Sequence, residues 1–180
     1  MSDIDIFAGL LLEESKRFLE KATVSADHGG KVAYLHASLL LCFASFEAHL
    51  NAISDDFGHR EDLDVHDRAI MFEREVKLKD GRFELASTMK MYRLEDRVQF
   101  VYRRFSGEAI DTTLAWWAQL QAATNSRNGL THPKVHVQMT ERNVSDAISA
   151  VVLALGAIYR AVYHKKFPAV GRGLDSKLDF

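Results

Sequence analysis

The stretch from Lys31 to Phe57 constrains this chain more than any other. Tyr34, Ala37, Leu41, Ala44/Ser45, Ala48 and Ala52 fall on one helical row, and Leu40, Phe43, Phe46, Leu50 and Ile53 widen it. Apolar positions three and four apart fit a helix rather than a strand. A helix apolar over so much of its circumference belongs at the centre of a bundle. With only 2 Pro in 180 residues, other long uninterrupted helices are expected around it.

Ile4, Phe7, Leu11, Glu14, Phe18 and Lys21 trace a first amphipathic helix, with Leu10 and Leu12 beside the stripe and His28-Gly29-Gly30 read as its stop. Gly58 ends the central helix. Over residues 59–92 the pattern is mixed. Asp67 to Lys77 reads as a short helix, while residues 76–85 alternate apolar and polar around Asp80-Gly81, the mark of a hairpin; a helix followed by a loop is the alternative. A third helix is expected from Leu94 to Phe105, stopped by Ser106-Gly107. Asp111 is read as the cap of a fourth helix carrying Leu114, Trp117, Leu120 and Ala123, with Trp116, Leu120, Ala123 and Arg127 on one row. Gly129 and Pro133 place its end between them. A fifth starts near Thr140, buries Val144, Ile148, Val151, Leu155, Ile158 and Val162, and ends at Lys165-Lys166. The expected fold is all-α: a bundle of about five main helices with a small hairpin insertion near residues 74–86. Residues 1–166 make one domain, and 167–180 a loose tail.

A formal net charge of −2 excludes a broadly basic nucleic-acid-binding surface, so any RNA contact is local. The single Cys, Cys42, lies in an apolar run and reads as a core filler; with one Cys there is no disulfide framework. The N-terminus is acidic and lacks a signal-peptide pattern. The apolar run from Ala37 to Phe46 is interrupted by polar residues and too short to span a bilayer. A cytoplasmic protein without membrane contact is expected.

One segment carries chemistry: Arg127-Asn128-Gly129-Leu130-Thr131-His132, followed by Pro133. Arginine binds phosphate oxygens with a planar, permanently charged fork. Histidine titrates near neutrality and moves protons. Together they suit cleavage of a phosphodiester without a metal or cofactor. Spacing alone is weak evidence, since Arg60 and His66 have a similar separation; that pair, however, is flanked by Glu61, Asp62, Asp64 and Asp67, which repel phosphate.

A helical domain whose next-to-last long helix ends in Arg, four to six residues, then His, and is followed by a last apolar helix, resembles the HEPN superfamily. Arg127, Asn128 and His132 match that motif residue by residue, and Phe43-Ala44-Ser45-Phe46-Glu47-Ala48-His49-Leu50-Asn51 resembles a second helix of the family. The resemblance covers roughly residues 5–165, except 59–92. It implies a helical bundle, commonly dimeric, that acts as a metal-independent ribonuclease in toxin–antitoxin, phage-defence or RNA-processing systems, or has lost activity and only binds. It also implies that Glu47 pairs with the motif arginine, and that an antitoxin protein is a partner.

In such a reaction the 2′-hydroxyl is the nucleophile. His132 takes its proton or protonates the leaving 5′-oxygen, Arg127 neutralises charge on the non-bridging oxygens, and Asn128 holds the phosphate or orients the ring. One histidine cannot serve as base and acid at once, so a two-fold dimer is expected, with the Trp116–Leu120–Ala123 face or the neighbouring part of the central helix as interface. Lys134, Arg103, Arg104 and Arg142 are candidates for RNA contact. The plainer readings are these: Arg127 complements a helix dipole, Trp116 and Trp117 are packing residues, His132 and His136 are not a metal pair because Pro133 intervenes, and the patch Asp55, Asp56, His59, Asp62, Asp64, His66 and Asp67 is a solvated loop rather than a divalent site. The competing function is a catalytically silent HEPN-like module binding RNA, nucleotide or protein.

Overall fold

In the computed structural model, residues 3–180 are described. Six helices and one hairpin follow in chain order: α1 Asp3–Val24, α2 His28–Phe57, α3 Val65–Phe72, β1 Arg74–Lys79, β2 Arg82–Met89, α4 Leu94–Ser106, α5 Ala115–Thr131 and α6 Glu141–Tyr163. The five long helices and the hairpin match expectation; the short helix read over Asp67 to Lys77 is α3, which ends at Phe72 because Glu73 turns left-handed and residues 74–77 enter β1.

The loop between α1 and α2 is short because Gly29-Gly30 does not stop α1. Asp27 is the N-cap of α2, its carboxylate accepts from Gly30 N at 2.5 Å, and both glycines lie in the first turn. The two helices are antiparallel and close. Ser15 Oγ donates to Ser38 O at 2.8 Å, Ser38 Oγ returns to Ser15 O at 2.7 Å, and Ser45 Oγ donates to Ala8 O at 2.7 Å. The seam on α1 is therefore Ala8, Leu12, Ser15, Leu19 and Ala22, all buried. The expected stripe through Ile4 and Phe7 is wrong at its start: Ile4 and Phe7 are exposed. Small side chains let two backbones approach, and this outweighs the greater hydrophobicity of the neighbouring row.

Helix α6 runs parallel to α2, with Lys31 paired to Glu141 near one end and Tyr163 donating to Asp56 at 2.7 Å near the other. Phe43, Phe46, Leu50 and Ile53 of α2 and Val144, Ile148, Val151, Leu155 and Ile158 of α6 form the centre of the core. Both helices are long and apolar enough to cross a bilayer by length and composition, with 61% and 50% of their apolar windows buried in the fold. Cys42 is fully buried, and burial pushes its thiol up to about 12.

The insertion is a hairpin with Lys79 opposite Arg82 and a turn at Asp80-Gly81, where φ is +48° and +78°. Two successive left-handed residues make the turn that fits the strand twist. Helix α3 begins at a reciprocal cap between Asp64 and Asp67, and Glu73 in left-handed conformation leads into β1. Arg97 of α4 pins this insertion to the bundle. It donates to Glu73 at 3.1 Å, Asn51 at 2.8 Å and Met71 O at 2.8 Å while only 3% exposed.

Two further expectations differ. Asp111 does not cap α5; it accepts from Thr113 N and Oγ1, and the helix starts after Leu114. The last residues are not loose. Ser176 N donates to Glu20 at 2.6 Å, Lys177 N to Glu13 at 2.8 Å, and Arg17 Nε to Phe180 O at 2.7 Å, so the C-terminal stretch lies along α1.

Candidate active site at the end of α5

Arg127 sits in the last turns of α5, which continues through Asn128 and Gly129 to Thr131. Its guanidinium turns toward α2. Nη2 donates to Glu47 Oε1, and the group lies over the Phe43 ring, 5.3 Å from its centroid. The arginine side chain is 21% exposed and the glutamate 39% exposed, so the pair meets solvent at one edge. Arg127 Nε is buried without a hydrogen-bond partner among the described residues. The field around Glu47 also includes Arg97, whose charged form Glu47 supports after Glu73.

His132 is the C-cap of α5, its N–H donating to Asn128 O at 2.9 Å, and both His132 and Asn128 are exposed. The chain doubles back at once. A Cβ on Gly129 would lie 2.8 Å from Val137 Cγ2, so glycine lets residues 132–140 fold against the helix that carries the motif. Thr131 Oγ1 donates to Arg127 O at 3.1 Å and firms the final turn. The result is one charge held inward by Glu47 and two polar side chains facing solvent at the same helix end.

The other expected RNA contacts do not converge with it as a set. Arg104 is occupied, donating to Asp67 at 3.1 Å and Asp62 at 2.9 Å. Arg142 is 90% exposed and reaches only Asp146, at 3.9 Å. Arg103 and Lys134 are exposed. The alternative motif at Arg60 and His66 is consumed by its surroundings. Arg60 forks onto Asp62 at 2.8 and 3.1 Å, and this contact, with Arg104, holds the Asp62 carboxyl at about 2. Within the patch of residues 55–67, Asp62 and Asp67 are paired with arginines, Asp64 and Asp67 cap α3, and Asp56 accepts from Tyr163. Among the described residues no group of three or more His, Cys, Asp or Glu is arranged to hold a metal ion.

The Trp116–Leu120–Ala123 face is not free to form an interface. Leu120 and Ala123 are buried within the single chain, Trp116 is partly buried, and Trp117 is buried against the core. The neighbouring stripe on α2 is free: Leu40 is 39% exposed and Ala44 is exposed, two turns and one turn before Glu47 respectively. Two structural residues went unnoticed in the sequence. Arg97 stands among ordinary-looking helix charges, and Phe43 was read only as core; the spacing Phe43–Glu47 on one row, facing Arg127, was the available signal. No family model, curated protein or solved structure matches this chain.

Proposed function

We propose that this chain is a metal-independent endoribonuclease of the HEPN type, working in the cytoplasm as a two-fold dimer. The observation that carries the reading is the arrangement at the end of α5: Arg127 fixed by Glu47 and Phe43, with Asn128 and His132 exposed at the same helix end. A guanidinium has five N–H donors, so one bond to Glu47 orients Arg127 and leaves others for a phosphate oxygen. His132 moves the proton of the 2′-hydroxyl, the 2′-oxygen bonds to phosphorus, and the 5′-oxygen leaves with a proton from the second copy's histidine. Arg127 offsets the charge on the non-bridging oxygens. The product ends in a 2′,3′-cyclic phosphate. Leu40 and Ala44 on α2 are the apolar surface adjoining Glu47 that a second copy would cover. A toxin–antitoxin, phage-defence or RNA-processing setting, with an antitoxin protein as partner, belongs to the same reading.

One observation favours a second reading, a silent module that binds RNA, nucleotide or protein. Glu47 neutralises Arg127 and the side chain is mostly covered, as a structural ion pair would be. End-labelled RNA incubated with the pure protein in EDTA separates the two. Cleavage with cyclic-phosphate ends supports the nuclease. Binding without cleavage, across structured and single-stranded RNA, supports the silent module.

A further inference from the structure

A cavity of about 650 Å³ opens between α1, α6 and the C-terminal stretch, with His49 and Asp56 of α2 in its wall. Its size is that of a small-molecule site. Glu47 and His49 are two residues apart on a helix, so they project to nearly opposite sides, and this cavity lies across α2 from Arg127. None of Arg127, Asn128 and His132 lines it.

Its wall has two chemical parts. The inner part is apolar, with Leu12 and Phe167 buried and Leu10 and Ile6 left 43% and 56% exposed by the single chain. The outer part is cationic: Lys165, Lys166, Arg172 and Lys177 all line the cavity, all are exposed, and none forms an ion pair among the described residues. The carboxylates there are already engaged. Asp56 accepts from Tyr163 Oη at 2.7 Å, Glu13 from Lys177 N at 2.8 Å, and Asp5 from Tyr159 Oη at 3.4 Å. These neutral donors leave the carboxylates charged, but Glu13 also faces Lys16 Nζ at 3.6 Å, so four lining cations against three lining carboxylates leave the excess charge of the rim positive. His49 is also in the wall, 4% exposed, with Nδ1 sharing a hydrogen bond with Tyr159 Oη at 3.0 Å and a buried Nε2 that has no partner among the described residues. A buried polar atom without a partner in a cavity wall is the kind of group a ligand satisfies.

We propose that this cavity binds a small amphipathic carboxylate, with its apolar chain along Leu10, Leu12 and Phe167 and its carboxylate among Lys165, Lys166 and Arg172. The inference stands independently of the nuclease reading. Apolar burial supplies affinity and the rim supplies sign: an uncharged chain loses the cations' contribution and a cationic chain is repelled. With Tyr159 Oη donating to Asp5, Nδ1 carries the ring proton and His49 Nε2 accepts, which favours ligands with a hydroxyl along the chain.

Isothermal titration of the full chain with decanoate, below its micelle concentration, tests this. Saturable one-site binding is expected, about tenfold weaker for octanoate because two methylenes are lost. Decyltrimethylammonium should not bind. Leu10→Trp, which fills the cavity from an exposed position, should abolish binding. Lys165→Glu with Lys166→Glu, both at exposed sites, should weaken it at least tenfold while the circular dichroism stays that of the wild type. Absence of saturable binding by the wild type overturns the proposal, as does equal binding of the cationic chain or indifference to both variants. If instead the wild type doubles its mass with concentration, Leu10→Trp prevents this and decanoate does not bind, the face is covered by a second copy and the proposal fails.

Discussion

Arg127 on α5 and Glu47 on α2, 80 residues apart in the chain, form one ion pair, with the guanidinium resting on Phe43 a turn before Glu47. The pair links α5 to α2 and sets the orientation of the motif arginine at the helix end that His132 caps. Because Glu47 is 39% exposed, solvent screens the interaction, and its contribution is modest. Glu47→Ala should lower stability by about 1 kcal/mol, and Glu47→Gln, which keeps an acceptor, by clearly less. Urea unfolding measures both. A Glu47→Ala midpoint equal to wild type would mean the pair contributes nothing.

Arg97 offers the contrasting case. It is 3% exposed and satisfies Glu73, Asn51 and Met71 O together. Removing it leaves the Glu73 carboxylate without its counter-charge and Asn51 Oδ1 without its donor, while Met71 O keeps its bond from Ser54 Oγ at 2.7 Å; breaking a buried pair typically costs about 3 kcal/mol or more. Arg97→Ala should therefore destabilise the protein more than Glu47→Ala does. It should also raise amide exchange in the hairpin, which Arg97 anchors through Glu73. Equal unfolding midpoints for the two variants would contradict this ordering.

For catalysis, the two motif residues should separate from stability differently. His132 is exposed and its side chain forms no hydrogen bond or ion pair among the described residues, so His132→Ala should leave unfolding within about 0.5 kcal/mol of wild type. Its loss as a proton-transfer group should slow RNA cleavage at least about 100-fold. Arg127→Ala should lose activity comparably and some stability as well, since it carries the contacts to Glu47 and Phe43. Cleavage by His132→Ala at the wild-type rate, with contaminating nuclease excluded, would refute the assigned role.

His49 gives the fold an acid limit. Burial pulls its imidazole from the usual 6.5 down to about 4, against a smaller opposite effect of Asp5. The unfolded chain thus takes up a proton near 6.5 that the folded chain accepts only near 4. Stability is full above pH 6.5 and declines as pH falls toward 4, by up to about 3 kcal/mol from this residue. His49→Gln should flatten that part of the stability-versus-pH curve even if it lowers the plateau. An unchanged slope between pH 6.5 and 4 would place the titration elsewhere.

What was legible followed apolar periodicity and turn chemistry. Helix α2, α6 with its start near Thr140, and the Asp80-Gly81 hairpin are all visible as residue patterns, because each depends on contacts local in sequence. The seam of α1 was misread because size was weighed over fit: Ser15 and Ala8 pack closer than Ile4 and Phe7. Gly29-Gly30 passed for a stop because Asp27, three residues before Gly30, was not recognised as a cap. The docked C-terminal stretch depends on backbone N–H groups reaching Glu13 and Glu20, a contact without any sequence periodicity. At the candidate site, the pairing of Glu47 with Arg127 was readable as a carboxylate on an apolar helix. The occupation of Arg104 by Asp62 and Asp67 was not, since it joins residues from two elements whose relative placement depends on Arg97.

Gly129 links the motif to the loop behind it. Replacing it with alanine adds a methyl 2.8 Å from Val137 Cγ2, which must move. The same replacement gains about 1 kcal/mol of helix propensity. Because the obstructing atom is the end of a side chain in a half-exposed loop residue, the two effects should nearly cancel, leaving unfolding little changed. His132 lies three residues along the same turn, however, and a displaced loop moves its ring. Positioning errors of about 1 Å cost catalysis about 100-fold. Gly129→Ala should therefore cleave RNA far more slowly than wild type at near-equal stability, and Gly129→Ala with Val137→Ala, which removes the obstructing methyls, should recover much of the rate. Recovery without initial loss is impossible, so the decisive result is the single variant: full activity in Gly129→Ala would show that the loop's fit against α5 does not position His132.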